Sequence, residues 1–406
     1  MDQRGTGRSG AVLDAGGLAG AAGSGDPGAQ AAYLSHFRAD AIVRDAEAVR
    51  VALVPPTGPQ RGRWSVLGQS YGGFAALSYL CLAPEGLTEV MLAGGLPPDV
   101  GGAPCPADAA YAALFARVAA QNAKYYARFP GDAARAREVV LALVEGRGPA
   151  AAGVGGGGGG AGSPRPGPPP AAAAAPGGVR LPSGGLLTPR AFQALGLPSL
   201  GLGGGFERLH WLLERAFDGG GAGGRLTAAF LRGVEAALPW DANPLYALLH
   251  EPIYANGGGV ATAWSAARVR AADPARDAAF DAVAAARAGR DVLFTGEMVF
   301  PWLFEGEGGC PALAALGPVA HALAAKADWP ALYDVGALAR NAVPVAAAVY
   351  WEDMYVDFEL SQATGRCVRS LRQWVTNEIG HSGIRDEGGR VFDQLLGLVR
   401  GSQVLA

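Results

Sequence analysis

The chain has 406 residues, enough to bury a sizeable core, and a formal net charge of −3. Its 33 basic residues form no stripe or cluster, which argues against nucleic acid as the main partner. No apolar run reaches the ~18–20 residues of a bilayer span, and the opening MDQRGTGRSG lacks a signal-type stretch, so a cytoplasmic protein with no membrane partner is expected.

Glycine is 63 of the 406 residues, far above the usual ~7%. Much of the excess falls in three tracts, residues 10–30, 146–187 and 217–224. Their small, apolar-poor composition predicts flexible surface inserts. The four cysteines (Cys81, Cys105, Cys310 and Cys367) share no metal-type spacing and have only five histidines to help them. They read as incidental thiols of a reducing compartment, and no metal or cofactor is expected.

Taken in order, Tyr33–Leu53 has apolar residues at helical spacing. Trp64–Gly68 is a short apolar run ending in glycine, which predicts a buried strand. Phe74–Leu82 predicts a helix stopped by Pro84, and Glu89–Ala93 the next strand. Strand, sharp turn, helix, strand is a parallel βαβ unit. The middle is helical, with segments at Ala107–Phe129, Ala133–Glu145, Phe206–Phe217, Leu226–Leu238 and Ala275–Ala288. Strands return at Val343–Tyr350 and Arg369–Thr376, and Val391–Val399 closes as a helix. The expected architecture is an α/β core in two parts, residues 1–104 and 336–406, interrupted by a helical cap over 105–335.

Gly68-Gln69-Ser70-Tyr71-Gly72 fits the G-x-S-x-G elbow, in which a strained strand-to-helix turn exposes a nucleophilic serine. In so glycine-rich a chain the bare pattern is weak, and its place between strand and helix gives it weight. A hydroxyl is a poor nucleophile at neutral pH, so a base oriented by a carboxylate must follow, in the order Ser, Asp/Glu, His. After residue 300 only His321 and His381 qualify. His321 lies in an alanine-rich helical stretch, whereas His381 follows a strand in a terminal loop. Glu352, Asp353 and Asp357 compete as the carboxylate, and a position just past the strand end favours Asp353. The backbone N–H of Tyr71 is the expected oxyanion donor.

Four segments together resemble the proline iminopeptidases, serine peptidases of the α/β-hydrolase fold. They are Asp2-Gln3-Arg4-Gly5-Thr6-Gly7-Arg8-Ser9, the elbow with Gly73, Trp351-Glu352-Asp353-Met354, and Gly380-His381-Ser382. The resemblance implies release of an N-terminal proline from a peptide, without metal, through an acyl-enzyme on Ser70. It also implies cap glutamates that hold the free amine. His250-Glu251-Pro252-Ile253-Tyr254-Ala255-Asn256-Gly257, similar to the family's E-x-x-Y-x-N-G segment, makes Glu251 the first candidate, and Gly296-Glu297-Met298-Val299-Phe300-Pro301-Trp302 makes Glu297 the second. The family carries an HGGPG-type loop and further strands ahead of the first motif. No HGGP segment occurs here, so the sheet is expected to lack N-terminal strands and one oxyanion donor, a loss of ~10²–10³ in rate. Two other readings stand beside this one: a capped esterase or amidase using the same triad, and a truncated, inactive pseudo-hydrolase.

Overall fold

A computed structural model describes residues 1–149, 177–218, 223–238, 240, 242–307 and 309–401. Its centre is a four-stranded, all-parallel sheet. In chain order the strands are β1 (Trp64–Gln69) and β2 (Leu87–Ala93), then, beyond a small β3–β4 ribbon (Val179–Arg180 and Leu186–Leu187), β5 (Val345–Tyr350) and β6 (Leu371–Thr376). The spatial order is β1-β2-β5-β6, with Val90 opposite Val345 and Val345 opposite Leu371.

Successive side chains of a strand point to opposite faces, and both faces of this sheet are covered. Val90, Leu92, Val345, Ala347 and Val349 pack with Val43 of helix Ala39–Leu53 and with Leu77 and Leu80 of helix Tyr71–Leu82. The alternate set, Met91, Ala93, Ala346, Ala348 and Tyr350, packs on Val391, Leu395 and Leu398 of helix Gly388–Arg400. This double cover explains why β5 reads as a continuous apolar run rather than an alternating one. The sheet, its flanking helices and the inserted helices make an α/β-hydrolase architecture.

A further core comes mainly from the helical middle, with Tyr111, Phe115, Tyr125, Phe192, Phe230 and Phe294, and takes in Phe74, Met354 and Val356 of the α/β part. Helices Ala107–Arg128 and Gly131–Val144 match their expected segments closely. The segment 275–288 does not form one helix: it divides into Pro274–Ala279 and Ala282–Arg287. Asp281 accepts from the N–H of Ala284 and caps the second piece, while Phe280 turns in against Phe115 at 5.1 Å.

Residues 10–30 also depart from expectation, since they hold helices Ala15–Ala22 and Pro27–Leu34 instead of a flexible insert. Asp14 and Asp26 cap them, Pro27 sits in the first turn of the second, and Leu18 and Leu34 are buried in the core of the helical middle. The expected helix 33–53 breaks at Arg38, whose backbone is extended. Its guanidinium is buried over the Trp329 ring at 4.7 Å and donates to the carbonyl of Ala255. In the second glycine-rich tract, residues 177–187 form the β3–β4 ribbon, with Val179 opposite Leu187. Most of that tract, residues 150–176, lies outside the described residues, as do 219–222 of the third. Among the described residues, no helix is long and apolar enough to cross a membrane.

Candidate active site

β1 ends at Gln69, and helix Tyr71–Leu82 begins after a single intervening residue, so Ser70 alone makes the turn. It does so at φ 53, ψ −125, a left-side conformation that costs a non-glycine residue about 1–3 kcal/mol. The neighbours force this geometry. A Cβ on Gly68 would lie 2.2 Å from the Gly72 carbonyl oxygen, and one on Gly73 would lie 2.4 Å from that of Gly95. The Ser70 N–H is tied to the Ala93 carbonyl at 3.1 Å, which fixes the turn to the carboxyl end of β2.

The other two members of the expected triad meet Ser70 there. His381 Nε2 lies 3.0 Å from Ser70 Oγ, and His381 Nδ1 lies 2.8 Å from Asp353 Oδ2. Asp353 stands three residues beyond the end of β5 and is only 2% exposed. Its second oxygen accepts the N–H groups of Tyr355 (2.7 Å) and Val356 (3.0 Å), so neither oxygen is idle. His381, in the loop after β6, is 6% exposed; the Tyr355 ring packs on it at 4.5 Å and Gln69 Nε2 donates to its carbonyl at 3.3 Å. Burial opposes the imidazolium, but the Asp353 carboxylate, helped by Glu297, outweighs it and holds the imidazole pKa above its usual value.

The rival residues sit elsewhere. Glu352 pairs with Lys124 at the surface (2.6 Å), and Asp357 caps helix Phe358–Cys367. His321 accepts from Trp264 Nε1 at 3.2 Å.

Two cavities open onto Ser70. One, of about 310 Å³, is walled by Phe37, Phe74, Leu245, Tyr254 and the Gln3–Gly7 loop. That loop is held by Arg4, whose Nε donates to Asp45 Oδ2 of helix Ala39–Leu53 at 2.7 Å. The other, of about 510 Å³, lies on the His381 side. Glu297, like Ser70, lines both, and its charge acts on the His381 imidazole. The Tyr246 hydroxyl donates to Glu297 at 2.6 Å, and that carboxylate favours the protonated phenol.

Glu251, the first candidate for the amine, stands apart from this arrangement. It is 4% exposed, lines neither cavity, and accepts the N–H groups of Ser265 and Ala266 at 3.0 Å each. Those are the opening amides of helix Ser265–Ala271, so the carboxylate serves that helix start. Burial pushes its carboxyl pKa up. Sequence reasoning passed over Tyr246 and Tyr355. Tyr355, two residues after Asp353, lay directly beyond the Trp351–Met354 motif, whereas Tyr246 carried no spacing signal at all.

No family model matches the chain. It is 43% identical over 400 residues to a proline iminopeptidase of Aeromonas sobria, covering 98% of this chain and 79% of that protein. It is 34% identical over 402 residues to the proline iminopeptidase aneH of Aspergillus aculeatus, covering 98% and 77%. Among solved structures, a hydrolase from Pseudomonas aeruginosa PA01 aligns with 90% of this chain and 72% of its own, at 11% identity and a TM-score of 0.29.

Proposed function

Because the chain belongs to the proline iminopeptidase family, we propose that it releases an N-terminal proline from peptides, with Ser70 as nucleophile, His381 as general base and Asp353 as the carboxylate that orients it. Ser70 Oγ attacks the carbonyl carbon of the first residue while His381 Nε2 takes the hydroxyl proton. Asp353 fixes the tautomer through Nδ1 and stabilises the imidazolium. The N–H of Tyr71, at the start of a helix, is the donor to the developing oxyanion. His381 then returns the proton to the departing amine. A water activated by the same imidazole ends the cycle by hydrolysing the acyl-enzyme.

An aminopeptidase must also select a free, charged amine, since an unpaired ammonium is costly in a dry pocket. The observation that carries this part is Glu297, whose carboxylate accepts from Tyr246 and which lines both cavities that Ser70 lines. Glu297 is the residue we assign to the amine. The apolar walls of the smaller cavity suit the pyrrolidine ring.

Proline p-nitroanilide and its N-acetyl derivative test the reading. Free-amine substrate should be cleaved at least about 10²-fold faster in kcat/KM, the scale of a lost buried charge pair. Equal turnover of the two would favour an unselective esterase or amidase.

A further inference from the structure

We infer that Arg385 is a specificity-determining residue that binds a carboxylate on the departing portion of a short peptide substrate. The inference rests on the proline-releasing reading above.

His381 must hand its proton to the leaving amine, so the departing peptide has to lie on the side that its Nε2 faces. The cavity of about 510 Å³ lies there, walled by His381, Ser382 and Arg385. His381 and Arg385 are absent from the lining of the smaller cavity, which leaves that one to the acyl residue.

The larger cavity is lined by both signs of charge. Its lining holds one carboxylate, Glu297, and one guanidinium, Arg385. They act on the imidazole in opposite senses, Glu297 favouring its protonated form and Arg385 opposing it. Arg385 is exposed and makes no ion pair among the described residues. The acids next to it are engaged elsewhere: Asp386 accepts the Ser382 hydroxyl, and Glu387 pairs with Arg390 at 3.2 Å. Its backbone is held in place, because its N–H donates to the Ser382 carbonyl at 2.7 Å. A cation so placed can bind a carboxylate in the fork geometry of a guanidinium. A short zwitterionic peptide, with an ammonium ahead of the scissile bond and a carboxylate behind it, has the polarity of this cavity. The carboxylate could be the peptide's own terminus or an acidic side chain next after the proline.

The test measures kcat/KM for proline release from prolyl-glycine, prolyl-glycinamide and prolyl-glutamic diamide's mono-acid counterpart, prolyl-glutamyl amide, whose carboxylate is on the side chain. Each is assayed with wild-type enzyme, Arg385→Gln and Arg385→Lys. At least one carboxylate substrate should exceed prolyl-glycinamide by about five-fold, the scale of a partly exposed charged contact. That ratio should fall to about one in Arg385→Gln and lie between the two in Arg385→Lys, which keeps the charge without the fork. Which substrate carries the advantage tells terminal from side-chain recognition. A wild-type ratio of one for both, or a ratio unchanged in Arg385→Gln, overturns the role of Arg385 alone. If no prolyl substrate is cleaved at all, the proline-releasing reading fails and this inference falls with it.

Discussion

Ser70 Oγ and His381 Nε2 lie 3.0 Å apart although 311 residues separate them in the chain. The contact exists because β1 and β6, at opposite edges of one parallel sheet, deliver their following loops to the same edge. Asp353, leaving β5 between them, completes the line with its 2.8 Å contact to Nδ1.

Removing that carboxylate's charge should remove most of the activity. Asp353→Asn keeps the size but lets the wrong tautomer of His381 form, and kcat on a proline arylamide should fall by about 10⁴. Two N–H groups also point at Asp353 Oδ1, so thermal melting should accompany the kinetics. A variant that folds and keeps near-normal kcat would contradict the orienting role.

The pH profile follows from the raised pKa of His381. A general base works only when neutral, so activity should be lost as pH falls through that pKa. The acidic limb of kcat/KM should therefore lie above the ordinary imidazole value of about 6.5. For stability the sign is the reverse of a salt-bridged acid. The contribution of the His381–Asp353 pair is complete below the unfolded imidazole pKa and lost as pH rises through the higher folded one. Because Glu297 also favours the imidazolium, Glu297→Gln should move the acidic limb downward while lowering kcat/KM for free-amine substrates by about 10²-fold or more. Profiles of both enzymes on one substrate settle it, and a limb at or below the ordinary value in the wild type contradicts the electrostatics.

The glycines of the elbow are not equivalent. Gly68→Ala and Gly73→Ala each drive a Cβ into backbone at under 3 Å and should cost about 1–3 kcal/mol or more in denaturant unfolding. Nothing lies within 4 Å of a Cβ on Gly72, in the first turn of its helix, so Gly72→Ala should be neutral or gain up to about 1 kcal/mol. A Gly72 variant less stable than the Gly68 variant would reverse the steric argument.

What could be read from the residues alone was what local chemistry determines. The elbow needs glycine at 68 and 73, the acid must follow the end of β5, and the base must lie in a late loop, so the convergence of Ser70, Asp353 and His381 was legible. Long-range contacts were not. The helix break at Arg38 follows from a bond to Ala255, 217 residues away. The helices at 15–22 and 27–34 owe their burial to Leu18 and Leu34 meeting a core assembled from later segments. Asp14 and Asp26 are caps that the tract's glycine content obscured. Glu251 matched a motif, yet the amides it serves belong to a helix start fourteen and fifteen residues later. No periodicity in the sequence reports that kind of placement.

The most direct measurement is intact-mass and peptide mapping after a fluorophosphonate probe, run beside proline arylamide turnover on wild type and Ser70→Ala. A single adduct on Ser70, with turnover lost by about 10⁴-fold or more in the alanine variant, is the predicted result. Labelling at another residue, or proline release that survives without the Ser70 hydroxyl, would contradict it.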